Sequence, residues 1–154
     1  MVNSLLIKPC IAKMVRLMMR NGKKSKAESV LLSALAEVEQ KYPGQSLYIF
    51  YAAVANAQPL VGVRKKPIGK GKSRKAASKR KTIYIPYPIS AKRSQSLGMR
   101  ALITSSQERS SLSISKSLSE ELIMAAQSLG SAVDKKLSIH KIAKDNRGFT
   151  HFRW

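Results

Sequence analysis

One stretch limits the possible folds of this chain more than any other. Arg64 to Lys81 holds ten Lys or Arg among eighteen residues and no Asp or Glu. Such a segment cannot enter a hydrophobic core, because a buried charge without a partner is strongly unfavourable. It must project from whatever its flanks build. Those flanks are β-like: Leu60 to Val63 on one side, and Thr82 to Ile89 on the other, where Ile83 and Ile85 alternate against Thr82 and Tyr84. The segment reads as the tip of a β-hairpin or a mobile arm, with the whole hairpin covering about residues 60–89. At roughly 3.3 Å per residue, such an arm could reach about 30 Å. Pro86 and Pro88 mark the far end of the second strand as an edge or an exit.

Outside the hairpin the apolar spacing is helical. Ile11, Met14, Val15 and Met18 share one face, with Pro9 at the start and Asn21-Gly22 at the end. Ser25-Lys26-Ala27-Glu28 has the capping-box pattern and leads into the stripe Ala27, Val30, Leu31, Ala34, Leu35, Val38. A third helix starts near Ser46, with Leu47, Phe50, Tyr51 and Val54 on one side, and stops before Pro59. A fourth, about Ala91 to Ser105, turns Met99, Leu102 and Ile103 inward and Lys92, Ser96 and Arg100 outward. Ser117-Leu118-Ser119-Glu120 is again a capping-box pattern, followed by Leu118, Leu122, Ala125, Ala126 and Leu129 up to Gly130. The last helix is expected from about Ala132 to Asn146, with Val133, Leu137 and His140 on one side and Gly148 closing it. The expected fold is all-α with a protruding β-hairpin, about six helices in a single domain over residues 1–154.

Charge points to the class of partner. The chain carries 29 Lys and Arg against 8 Asp and Glu, a formal charge of +21. A body of this length has a radius of gyration of about 15 Å, and so much like charge on it favours a polyanion. From Gln40 to Gln107 there is no acid at all. Lys135, Lys136, Lys141, Lys144 and Arg147 add a further patch near the end.

Signs of catalysis are missing. Cys10 is the sole cysteine, which leaves no intramolecular disulfide and no cysteine metal site. His140 and His151 sit in different segments, too few for a metal centre. Glu28, Glu37 and Glu39 look like capping or helix-surface residues, and Glu120 and Glu121 are expected at a helix start, where the macrodipole favours them. Gly69-Lys70-Gly71-Lys72-Ser73 fails as a phosphate loop: Lys66 stands where the pattern needs a glycine, and a basic run replaces the apolar helix. No enzyme activity, cofactor or metal is expected. No apolar run reaches the roughly 18 residues that cross a bilayer. Met1 to Cys10 has no long apolar stretch, so the protein is expected to be made where it works or to have been trimmed.

Three stretches together resemble one family. They are Asn21-Gly22-Lys23-Lys24, Gln58-Pro59-Leu60-Val61-Gly62-Val63-Arg64, and the ending Asn146-Arg147-Gly148-Phe149-Thr150-His151-Phe152-Arg153-Trp154. In order and spacing they are similar to the small-subunit ribosomal proteins of the seventh family. Leu97-Gly98-Met99-Arg100-Ala101-Leu102 fits its fourth helix more loosely. The resemblance implies a six-helix core with a β-hairpin, and direct binding to the 3′ major domain of small-subunit ribosomal RNA. It implies a role in organising the subunit head. The hairpin would lie near the exit-site tRNA and the mRNA path, beside the eleventh-family small-subunit protein. By position it implies RNA contacts for Lys23, Lys24, Arg64, Lys92, Arg93, Arg100, Arg147, His151 and Arg153. Charge clustering adds the arm residues Lys65, Lys66, Lys70, Lys72, Arg74, Lys75, Lys79, Arg80 and Lys81.

Departures from the family pattern are visible too. Only a few residues precede the first helix, and the hairpin tip is longer. Gly62 stands where the family commonly has an acid, and Ala101 where it often has a large aromatic. The Lys- and Ser-rich sequence looks like an organelle-encoded copy in a mitochondrial ribosome, with a plastid or bacterial ribosome as alternatives. A DNA-architectural protein is the competing reading; it would bind duplex DNA by itself, usually as a homodimer. The ribosomal reading expects no homo-oligomer. A membrane-surface role ranks last, since no helix pairs a lysine-lined face with bulky aromatic anchors.

Overall fold

The structure is a computed structural model that describes residues 9–67, 82–109 and 113–153. The first helix among the described residues, α1 (Pro9–Met18), buries Cys10, Ile11, Met14 and Val15, the face set by the spacing. Met18 packs on the core only partly buried. The chain leaves α1 through Asn21 at φ +51° and Gly22 at φ +71°. This left-handed turn suits asparagine and glycine. It also moves the next helix forward. α2 (Lys24–Lys41) begins with Lys23 at its N-cap, so Ser25 lies in its first turn and caps nothing. Glu28 instead meets Lys24 at 3.4 Å. The expected capping box is therefore corrected: the turn makes the backbone helical before Ser25 could take the extended conformation of a cap.

α3 (Ser46–Ala57) lies at the centre, against α2, α4, α5 and α6. It buries Ile49, Phe50, Ala53, Val54 and Ala57. A helix covered by so many neighbours has a wide buried arc, and its centre is displaced from the expected Leu47–Tyr51 side. Tyr51 remains 40% exposed. α4 (Ala91–Glu108) turns Met99, Leu102 and Ile103 inward as the period demands. It adds small buried hydroxyls, of which Ser94 donates to the Pro59 carbonyl at 2.8 Å.

α5 (Ile114–Ala126) starts one turn earlier than its capping-box pattern suggests. Ser113 is the N-cap, its Oγ accepting from the Lys116 amide, while Ser117 is buried inside the helix. Glu120 and Glu121 thus lie in the second turn and not at a helix start. Leu118, Leu122 and Ala125 join the core, but Leu129 falls beyond the end of α5 and is exposed. In α6 (Ser131–Asp145), Ala132, Val133 and Ala143 are buried. Leu137 is exposed, contrary to expectation, because α6 is an outer layer that packs through its small residues.

The hairpin is antiparallel. β1 (Val61–Pro67) pairs with β2 (Thr82–Pro88) from Val61↔Pro88 to Pro67↔Thr82. Arg64, Lys65 and Lys66, expected at the tip, are strand residues opposite Ile85, Tyr84 and Ile83. Pro86 and Pro88 fit because a two-stranded ribbon has only edge strands. The hairpin base is tied to the body: the Ile89 amide donates to the Leu60 carbonyl at 3.1 Å, and the Leu60 amide donates to His140 Nε2 at 3.1 Å. α6 packs against both strands. The C-terminal tail forms a 3-10 helix, Arg147–Arg153, lying against β2. α6 ends at Asn146, whose side chain donates to the Ile142 carbonyl, so Gly148 lies within the 3-10 helix and closes nothing.

Candidate nucleic-acid interface

Eleven of the basic and histidine positions singled out by sequence lie among the described residues, and all eleven are exposed: Lys23, Lys24, Arg64, Lys65, Lys66, Lys92, Arg93, Arg100, Arg147, His151 and Arg153. Lys70, Lys72, Arg74, Lys75, Lys79, Arg80 and Lys81 lie outside the described residues, as does Trp154. The fold brings most of the eleven together at one end. Arg64, Lys65 and Lys66 share a groove with Tyr87, Phe152 and Arg153. The next groove holds Lys144, Arg147 and Arg153 beside His140 and Tyr87. A third is lined by Lys65 and Arg93 together with Tyr84 and Tyr87. These grooves share walls, so the hairpin base, the start of α4, the end of α6 and the 3-10 helix form one basic surface.

Local chemistry fixes that surface. Lys13 of α1 donates to the Lys92 carbonyl at 3.1 Å and to Gln95 at 2.8 Å, which anchors the start of α4. Lys136 donates to the Asn56 carbonyl at 2.7 Å and so joins α6 to α3. Along β1, each cation has an aromatic neighbour. The Arg64 guanidinium lies 5.8 Å from the Tyr87 ring centroid, Lys65 Nζ 5.7 Å from Tyr84, and Lys66 Nζ 6.0 Å from Phe152. The Phe152 ring in turn sits 4.0 Å from His151 and 6.3 Å from Phe149. Sequence reasoning found these cations but not which ring each one meets, because the pairing depends on strand register and on where the tail docks.

The remaining positions stand apart. Lys23 lines a groove with Arg20 and Lys26 near Gln107, the end of α4 opposite Arg93. At 1.5 Å per residue those ends are about 21 Å apart. Arg100 lies between them, in a groove with Lys135 and Lys136. Basic groups therefore run along the length of α4 instead of forming one point.

The acids are mostly occupied elsewhere. Lys24, Lys135 and Arg109 take up Glu28, Glu108, and Glu120 with Glu121. Ser119 donates to Glu37, and Glu39 accepts from the Gly44 and Ser46 amides. Six of the eight acids thus have structural partners, which leaves most of the positive charge to an outside anion. Cys10 is a buried core residue, its thiol pushed up by burial against the opposing pull of Lys13 and the Gln95 hydrogen bond. Among the described residues, no helix is long and apolar enough to cross a membrane, and no three His, Cys, Asp or Glu gather as for a metal.

A family model described as "Ribosomal protein S7p/S5e" matches residues 3–147. Three similar proteins, each called small ribosomal subunit protein uS7, come from Acidithiobacillus ferrooxidans (35% identical), Nitrobacter winogradskyi (36%) and Arthrospira platensis (36%). Each match covers 94% of this chain and 86% of the relative.

Proposed function

The chain belongs to the ribosomal protein S7p/S5e family, and on that footing we propose that it binds the 3′ major domain of small-subunit ribosomal RNA and helps to organise the subunit head. Membership makes it a structural constituent of the small ribosomal subunit and not an enzyme. The observation that carries the RNA reading is the shared basic surface, on which Arg64, Lys65, Lys66, Arg93, Arg147 and Arg153 are all exposed.

Phosphate contacts by Arg64, Lys65, Lys66, Lys92, Arg93, Arg100, Arg147 and Arg153 would position the protein, with Lys23 and Lys24 reaching a second stretch of the same RNA. His151, Phe149 and Phe152 suit unpaired bases, which stack on aromatic rings. The cations from Lys70 to Lys81 would add affinity with little base preference, since a point charge reads phosphate and not base edges. In this reading the hairpin extends toward the exit-site tRNA and the mRNA path, beside the eleventh-family protein. An organelle-encoded, mitochondrial ribosome is our reading of the compartment, supported by the Lys- and Ser-rich divergence from the bacterial relatives.

Sedimentation of an organellar lysate tests both parts. The chain should travel with small-subunit particles at moderate salt, and in the mitochondrial fraction. Recovery as free protein or with DNA would overturn the ribosomal reading, and recovery in plastid ribosomes would overturn the compartment alone.

A further inference from the structure

Gly62 is the one buried residue of β1, and it faces Tyr87 directly across the ladder. A Cβ placed on Gly62 would lie 2.7 Å from Tyr87 Cζ and 2.8 Å from its hydroxyl. The hydroxyl end of the phenol ring therefore occupies the position where any other residue would project. Directly opposed residues share a face, and side chains alternate along a strand. Gly62, Arg64, Ile85 and Tyr87 thus stand on one face, where the Arg64 guanidinium meets the ring at 5.8 Å.

We infer that Tyr87 is a positioning residue for Arg64, and that Gly62 is the vacancy that lets it act. The ring crosses the ladder only because Gly62 has no side chain. From there it offers an electron-rich face that holds a guanidinium otherwise free to move over several rotamers. Arg64 is thereby held in place before RNA arrives, and less ordering remains to be done on binding. The inference rests on the RNA-binding reading above and adds which uncharged residues set the geometry of a phosphate contact.

The test is a salt titration of the full-length protein on a fragment of the 3′ major domain. Arg64→Met removes one phosphate contact, so affinity should fall roughly tenfold and the slope of log K against log salt should flatten by about one. Tyr87→Leu and Gly62→Ala leave the charge untouched, yet each should also flatten the slope, because Arg64 no longer sits where the phosphate is. Tyr87→Phe keeps the ring and should behave as wild type. In the Arg64→Met background, Tyr87→Leu should cost nothing more.

A wild-type slope in Tyr87→Leu, or additive losses in the double variant, would overturn the inference while leaving RNA binding itself intact. If wild type fails to bind the fragment, the functional reading fails instead. One measurement needs no variant. In free wild-type protein the Arg64 δ protons should show the upfield NMR shift of a group over an aromatic face. Random-coil shifts there would also overturn it.

Discussion

Glu121 is fully buried, yet it carries three jobs. Its carboxylate takes Arg109 at 2.8 Å, accepts from the Ala132 amide at 2.9 Å, and meets the Ser131 hydroxyl. It thus holds Arg109, just past the end of α4, and the first turn of α6 at once. Removing it would leave Arg109 with Glu120 as its one remaining carboxylate and the buried Ala132 amide without its acceptor, and Glu121→Ala is expected to cost about 3 kcal/mol, read by urea unfolding. A cost below about 1 kcal/mol would show the pair behaving as a surface bridge. Glu39 does a smaller task in solvent. Hydrogen bonds from Ser46 and then Gly44 hold its carboxyl below the usual carboxylate value. The folded pKa is depressed, so its contribution is present above the ordinary carboxylate pKa and is lost as pH falls through the depressed value. Wild type and Glu39→Gln should therefore differ in unfolding midpoint near neutral pH and converge in acid. Neither role was legible in the sequence, where both glutamates read as helix-surface or helix-start residues. Their partners are 5 to 12 positions away, brought near by turns that spacing does not specify.

Periodicity located the helices well, because a stripe of apolar residues reports burial whatever the detail of its ends. The ends were harder. Ser25-x-x-Glu28 and Ser117-x-x-Glu120 both match a capping box, and both sit inside helices. Ser25→Ala should therefore change stability by less than about 0.5 kcal/mol, whereas Ser113→Ala should cost about 1 kcal/mol. Reversal of that order in thermal or urea melts would restore the original boundaries. The C-terminal segment shows a second limit. Its family-like motif marked it as functional, but its 3-10 shape and its docking come from tertiary contact with β2, a strand whose register was not legible. Truncation after Asn146 should weaken RNA binding and also speed hydrogen exchange in β2, while the helical circular dichroism signal is kept. Unchanged exchange in β2 would mean that the tail only touches RNA.

Taken as one body, the protein keeps most of its acids engaged in structure and spreads its cations over the surface. A common basic region joins the hairpin base, the 3-10 helix and the two flanking helices, and Lys23 with Lys24 lie near the far end of α4. That division was legible in outline from the acid-free span Gln40 to Gln107. Which cations would meet was not, since it follows from helix packing. Deleting residues 68–79 removes Lys70, Lys72, Arg74, Lys75 and Lys79. It should lower the salt slope yet leave the preferred RNA site unchanged by footprinting, and a shifted site would give those residues a reading role. The most direct measurement is the affinity of the full chain for the 3′ major domain fragment as a function of salt, with duplex DNA of equal length as the competitor. If six to ten phosphates are contacted, affinity should fall by about 10³- to 10⁵-fold between about 50 and 200 mM salt, and the RNA should be preferred throughout. A nearly flat response, or equal binding to the DNA duplex, would contradict it.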